Sequence, residues 1–94
     1  MHGAIVNAGI KVGDNCIINN RSLIEHDATV ADHCHISTGA ILNGGVTIGE
    51  GSFIGSGTVL KEGMNIGKNC VIGMGLSVRS NQPDYSRYTG KSSS

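Results

Sequence analysis

Every sixth residue of this 94-residue chain is aliphatic over most of its length. From Val6 the series runs Val12, Ile18, Ile24, Val30, Ile36, Leu42, Ile48, Ile54, Leu60, Ile66, Ile72 and Val78 without a break. Four residues after each, the slot is mostly small, as at Cys16, Ser22, Ala28, Cys34, Ala40, Ser52, Thr58 and Cys70. Glycine, asparagine and aspartate cluster between these slots, as turns require. The 15 glycines, single proline and few aromatics therefore belong to a repeat that turns often. Hexapeptide periods mean a solenoid: an all-β, single-stranded parallel β-helix.

Segments such as IGEGSF, IGSGTV and IGKNCV resemble the hexapeptide motif of left-handed β-helix acyltransferases. The resemblance runs from residue 5 to about residue 80. It implies that three hexads make one triangular coil of about 18 residues, wound left-handed, against the general hand of parallel crossovers. The β-helix domain is accordingly placed at residues 1–80, and a C-terminal polar tail at 81–94.

Residues one coil apart then stack at about 4.8 Å. The aliphatic and small slots point inward. Cys16, Cys34, Ser52 and Cys70 form one inward column, where the thiols read as small buried groups rather than redox centres. The outward residues differ between faces. One face presents Ile5, Leu23, Ile41, Val59 and Ser77; a second presents Lys11, Thr29, Thr47 and Asn65; a third presents Ile17, His35, Phe53 and Val71. Two faces are apolar along most of their length, more than a monomer ordinarily leaves in water. A prism with two sticky faces and one wet face closes as a ring of three. The expectation is a homotrimer, with the Ile17 face of one subunit on the Leu23 face of the next.

Three of the four histidines fall in LIEHDATVADHCHIS. His26 and Asp27 occupy the corner between the Leu23 face and the polar face, one coil below Gly44-Gly45. His35 lies on the Ile17 face near Asn19, and His33 sits on another corner between Asn15 and Gly51. His26 and His35 meet only across a subunit boundary, so the expected sites lie between subunits. Gly44 and Gly45 leave the corner above His26 open to close approach of a ligand. A neutral imidazole suits general-base work near pH 7, and Asp27 is placed to orient it. A solvated corner His-Asp pair fits the same residues.

INNRSLIEHDATV, followed by HIS and then NGG, is similar to the active-site stretch of the sialic acid and bacillosamine type of sugar O- and N-acetyltransferases. The resemblance implies His26 as catalytic base and Asp27 as the acid that increases its basicity. It implies Asn19 in the acceptor site, and His35 and Gly44 near the thioester of acetyl-coenzyme A. Gly73, Met74 and Gly75 would meet the pantetheine arm. The implied reaction is direct transfer of acetyl to an amine or hydroxyl of a small, sugar-type acceptor. No cysteine outside the core register offers a covalent route. The N-terminal nucleotide-binding domain of those relatives has no counterpart in this sequence, and their C-terminal basic motif is matched only by Gly90-Lys91, with Arg87 and Lys91 as candidates for coenzyme phosphates.

The formal net charge of zero gives no footprint for nucleic acid. No apolar run is long enough for a membrane span, and nothing reads as a signal peptide. Three cysteines, odd in number and without metal-knuckle spacing, point to a reducing cytoplasm. A γ-type carbonic anhydrase shares this fold and binds zinc with three histidines, but His26, His33 and His35 do not match its ligand spacing, so no metal is expected. A non-catalytic assembly module on the same β-helix is the other alternative.

Overall fold

The computed structural model describes residues 5–6, 9–19 and 21–89, and Gly90 and Lys91 lie outside them. Among the described residues the period of six becomes fourteen two-residue strands. Three strands make a coil, and each strand pairs in parallel with the strand three places on except at the C-terminal end, which gives three sheets. The first face holds β1 (Ile5–Val6), β4 (Leu23–Ile24), β7 (Ile41–Leu42), β10 (Val59–Leu60) and β13 (Ser77–Val78). The second holds β2 (Lys11–Val12), β5 (Thr29–Val30), β8 (Thr47–Ile48) and β11 (Asn65–Ile66). The third holds β3 (Ile17–Ile18), β6 (His35–Ile36), β9 (Phe53–Ile54), β12 (Val71–Ile72) and β14 (Arg87–Tyr88). The register is the 18-residue stacking read from sequence: Leu23 lies on Ile41, Thr29 on Thr47, and His35 on Phe53. The architecture is thus a parallel β-helix of hexapeptide repeats.

The strands are short because each hexad must also turn a corner. The second residue of each corner takes positive φ, including the non-glycines Asn15, Arg21, Asp27, His33 and Asn69. This left-handed conformation is why Asn, Asp and Gly recur there. It also explains His33: it is a corner residue, whose N–H donates to the Asp14 carbonyl of the coil below.

The core is one continuous column. Ile24, Ile36, Leu42, Ile48, Ile54, Leu60 and Ile72 are fully buried, each contributing about 1.5–3 kcal/mol by its removal from water. The small inward slots do more than fit. Cys16 Sγ donates to the Ala31 carbonyl at 3.0 Å, Cys34 Sγ to Gly49 at 3.1 Å, Ser52 Oγ to Gly67 at 2.8 Å and Cys70 Sγ to Pro83 at 3.1 Å. Ser22 and Thr58 repeat the device at another corner, donating to Ser37 and Gly73. Carbonyls that the corners turn inward are satisfied this way. The thiols are thus hydrogen-bonding core groups, and burial pushes the Cys34 thiol above its ordinary value.

The boundary at residue 80 does not coincide with the end of the solenoid. Gln82 bridges Ile66, and β14 pairs with β12. The stacking interval here is 16 residues rather than 18, since Ile72 lies opposite Tyr88. A corner has been shortened by two residues, which breaks the sequence period without breaking the coil. Tyr88 replaces the aliphatic residue and packs against the core. No helix among the described residues is long and apolar enough to cross a membrane.

Candidate active site

Three corner columns run along the prism, and the one between the first and second faces carries His26. It is called the histidine corner here. His26-Asp27 sits below Gly44-Gly45, which sits below Glu62-Gly63. The backbone is locked in stack: the Gly45 N–H donates to the His26 carbonyl at 3.0 Å, and the Gly63 N–H to the Gly44 carbonyl at 2.8 Å.

Side chains then decide the geometry. The His26 ring turns up against Gly44, so that a Cβ on Gly44 would come within 2.8 Å of both Cε1 and Nε2. Gly44 does not have positive φ. Its lack of a side chain serves the ring, not the turn. The open space expected above His26 is therefore filled by His26 itself, and Gly44 is buried beneath it. Asp27 turns the other way. One carboxylate oxygen lies over Gly9 of the preceding coil, where a Cβ would meet it at 2.6 Å. The other, Oδ2, lies 3.4 Å from His26 Nδ1. This long contact orients the ring loosely and leaves Nε2 as the nitrogen turned from the carboxylate. Both side chains remain more than half exposed.

Two grooves open from this corner. The lower, about 410 Å³, is lined by Glu25, His26, Asn43, Gly44, Lys61 and Glu62. The upper, about 320 Å³, is lined by Asn43, Val59, Lys61, Ser77 and Arg79. They share Asn43 and Lys61 and form one path up the edge of the first face. Among the described residues, the Gly44 N–H donates to no backbone or side-chain acceptor, while its neighbours Asn43 and Gly45 both do.

The remaining sequence-derived residues form two other groups. On the third face, Asn19 Nδ2 lies 3.2 Å from His35 Nε2. An amide N–H can only donate, so in this contact Nε2 is the acceptor. His35 also packs edge-on against Phe53, with centroids 5.0 Å apart. Gly73, Met74 and Gly75 occupy the corner between the third and first faces, and Met74 is 74 % exposed. Within one chain the structure brings His26, Asp27 and Gly44 together, and Asn19 with His35. It does not bring the three groups to one place. His33 belongs to a different corner again, and among the described residues no three His, Cys, Asp or Glu side chains converge as metal ligands.

Glu25, Asn43, Lys61 and Arg79 were missed in the sequence. Their signal is the position immediately after each aliphatic slot of the first face, every eighteenth residue, which the face-by-face reading passed over.

With this geometry in hand, the comparisons are specific. The model for the hexapeptide repeat of succinyl-transferase matches residues 3–20 and 45–80, more than half the chain. The model for the bacterial transferase hexapeptide, six repeats, matches residues 27–62. The chain belongs to the hexapeptide-repeat transferase family. No curated protein sequence matches it significantly. Among solved structures, it is similar to PerB from Caulobacter crescentus in complex with coenzyme A and GDP-perosamine, at 26 % identity and TM-score 0.70, covering 92 % of this chain and 50 % of that one. The acetyltransferase domain of PglB from Neisseria gonorrhoeae, in complex with acetyl-coenzyme A, matches at 20 % identity and TM-score 0.65, over 88 % of this chain and 49 % of that one. Serine acetyltransferase from the same organism, in complex with serine, matches at 13 % identity and TM-score 0.71, over 96 % and 38 %. The last two show the fold alone. The chain spans half or less of the length of each.

Proposed function

We propose that this protein is an acetyl-coenzyme-A-dependent acetyltransferase, acting in the cytoplasm as a homotrimer with sites between subunits. The observation that carries the reading is the His26 ring seated on Gly44 at the mouth of a groove, with the Asp27 carboxylate at its Nδ1. An exposed histidine with one nitrogen toward a carboxylate and the other free is suited to accept a proton. The acceptor nitrogen or oxygen forms its bond to the acetyl carbon as His26 takes the proton. The carbon–sulfur bond then breaks, and the proton held by His26 passes to the sulfur, so the coenzyme leaves as thiol. The Gly44 N–H, which has no other partner among the described residues, steadies the developing oxyanion. Asn19 and His35 act from a neighbouring subunit, Asn19 toward the acceptor and His35 toward the thioester. Gly73, Met74 and Gly75 lie along the pantetheine arm.

The likeness to PerB, whose complex holds coenzyme A and an amino-sugar nucleotide, supports a coenzyme-A donor and an amino-sugar acceptor. The half-exposed Ile17 and partly exposed Phe53 on the third face, and the partly buried Leu23, Ile41 and Val59 on the first, support the trimer. The test is thiol release from acetyl-coenzyme A with a panel of amino sugars, alongside sedimentation of the same sample. Turnover by a trimer is expected. A folded protein that neither binds the coenzyme nor turns over would overturn the proposal in favour of an assembly module.

A further inference from the structure

The residue before Gly44 brings a second fixed group to the His26 groove. Asn43 is half-buried on the wall that the two grooves share. Its backbone N–H and its side-chain Nδ2 both donate to the Leu60 carbonyl of the next coil, at 3.2 and 3.0 Å. A carbonyl only accepts, so the amide nitrogen must be the atom that faces Leu60, and the planar amide turns Oδ1 away from it. Among the described residues no group donates to Oδ1. Gly44 follows directly, with the His26 ring seated against it and no partner for its own N–H among the described residues. Asn43-Gly44 thus offers the groove one donor and one acceptor beside the base.

An acceptor oxygen in that place discriminates between nucleophiles. In the reaction proposed above, the nucleophile bonds to the acetyl carbon, the carbon–sulfur bond breaks, and one proton of the nucleophile passes through His26 to the sulfur. A primary amine has two protons. One goes to His26, and the nitrogen of the product amide still carries the other. A hydroxyl has one, and the product ester oxygen carries none. The amine therefore gives Oδ1 a donor throughout the reaction, whereas the alcohol leaves Oδ1 facing lone pairs once its proton has gone to His26. A half-buried polar group left unpaired in this way costs transition-state stabilisation. The charges agree. Glu25 and Glu62 line the groove with Lys61, and Asp27 stands beside His26, so carboxylates outnumber the cation and favour a ligand that arrives as an ammonium ion.

We propose that Asn43 is a specificity-determining residue that commits the site to amine acceptors, holding the N–H that the nucleophile keeps while His26 takes the other. The inference rests on the transferase reading. It goes beyond that reading in choosing N- over O-transfer and in naming the residue that chooses.

The experiment measures thiol release from acetyl-coenzyme A by the wild type, Asn43→Ala and Asn43→Leu. The acceptors are matched pairs: GDP-perosamine with its counterpart carrying a hydroxyl in place of the amine, and glucosamine with glucose. Leucine fills the volume of asparagine without its polar atoms, in case the smaller alanine loosens the coil. Thermal melting and titration with acetyl-coenzyme A check that each variant folds and holds the donor. The wild type is expected to favour the amine of a pair. Both variants should lose about tenfold or more in kcat/KM for the amine, and less for the hydroxyl, so that the ratio between them falls while affinity for acetyl-coenzyme A stays. An amine rate unchanged in both variants overturns the assignment and leaves the transferase standing. Equal fractional losses for amine and hydroxyl do the same, since they mark a purely structural role, and so does a wild type that acetylates the hydroxyl as fast as its amine. A folded wild type that turns over neither member of any pair overturns the transferase reading and this inference with it.

Discussion

The histidine corner and the corner between the second and third faces share one backbone path and carry opposite chemistry. At the latter, Asp14-Asn15, Asp32-His33, Glu50-Gly51, Lys68-Asn69 and Asp84-Tyr85 stack in turn. Its polar groups are saturated from both sides. Outside, Asp32 Oδ1 accepts the Asp14 N–H at 2.7 Å, and Asp84 Oδ1 accepts the Lys68 N–H at 2.9 Å. Inside, the thiols and hydroxyl of Cys16, Cys34, Ser52 and Cys70 fill the carbonyls of the next coil. Around His26 the histidine corner has neither device, and the outer one appears only farther up the column, where Asn81 Oδ1 accepts the Asn65 N–H at 2.8 Å. Its inward slots are Ala28, Val46 and Met64, without a donor, and the turn at His26 closes through backbone, the Ala28 N–H donating to the Glu25 carbonyl at 3.3 Å. Its carboxylate at Asp27 faces a histidine instead of an amide. One corner spends its polar groups on the fold, and the other leaves the His26-Asp27 pair exposed. A histidine on each, His26 and His33, thus has a different meaning.

The strongest way to break this comparison is at the two histidines. His26→Ala is expected to lower turnover by about 10²–10⁴-fold, the usual worth of a positioned base, with acetyl-coenzyme A affinity nearly unchanged. His33→Ala should leave turnover alone. Equal losses from both, measured as kcat on one acceptor, would remove the distinction.

A pair of glycines sharpens it. Gly44→Ala puts a methyl against the His26 ring without backbone strain. It is expected to reduce kcat by roughly 10-fold or more, as misplaced catalytic groups do, with little change in melting temperature. Gly51→Ala, at φ 73° on the saturated corner and against the Asn69 side chain, should do the reverse. It should cost about 1 kcal/mol or more of stability and spare kcat. A Gly44→Ala enzyme with wild-type kcat would mean that the ring need not sit where it does.

Removing a cap is a smaller test. Asp32→Ala frees the Asp14 N–H on an exposed corner, and a loss of about 1 kcal/mol is expected in denaturant unfolding, without effect on turnover. A turnover defect would show that the corners are coupled.

The smallest effect lies in pH. Because burial raises the Cys34 thiol, the folded state holds that proton more tightly than the unfolded chain. Its contribution is complete at neutral pH and is lost as pH rises from about 8.5, the value of a free thiol, toward the folded value. Cys34→Ser keeps a donor for the Gly49 carbonyl, as Ser52 does for Gly67. Melting curves of the variant should fall less steeply above about pH 9 than those of the wild type. Parallel curves would mean that Cys34 stays protonated or does not matter there.

The coil was legible because its cause is local and repeated. An aliphatic residue every six positions, with turn formers between, states where the chain goes inward and where it bends. The face of each strand residue from Lys11 to Val78 followed, and so did the corner of His26, the neighbourhood of Asn19 and His35, and the burial of Cys34 and Cys70. The reading failed where the period did. Gln82 and Tyr88 continue the coil at an interval of 16, and neither is aliphatic, so nothing in the pattern marked them as inward.

What the sequence determined by itself is the periodic part: the stacked coils, the inward column and the order of residues along each face and corner. Backbone pairing in a parallel β-helix admits one register when every aliphatic slot must be buried, so composition and spacing suffice. What only the tertiary structure decided is where side chains go once stacked. His26 turns up onto Gly44, Asp27 turns down over Gly9, and Lys61 and Arg79 line one groove. These choices depend on the free space one coil away. A period can name the neighbour, but only the packed structure shows which of the two fills the gap between them.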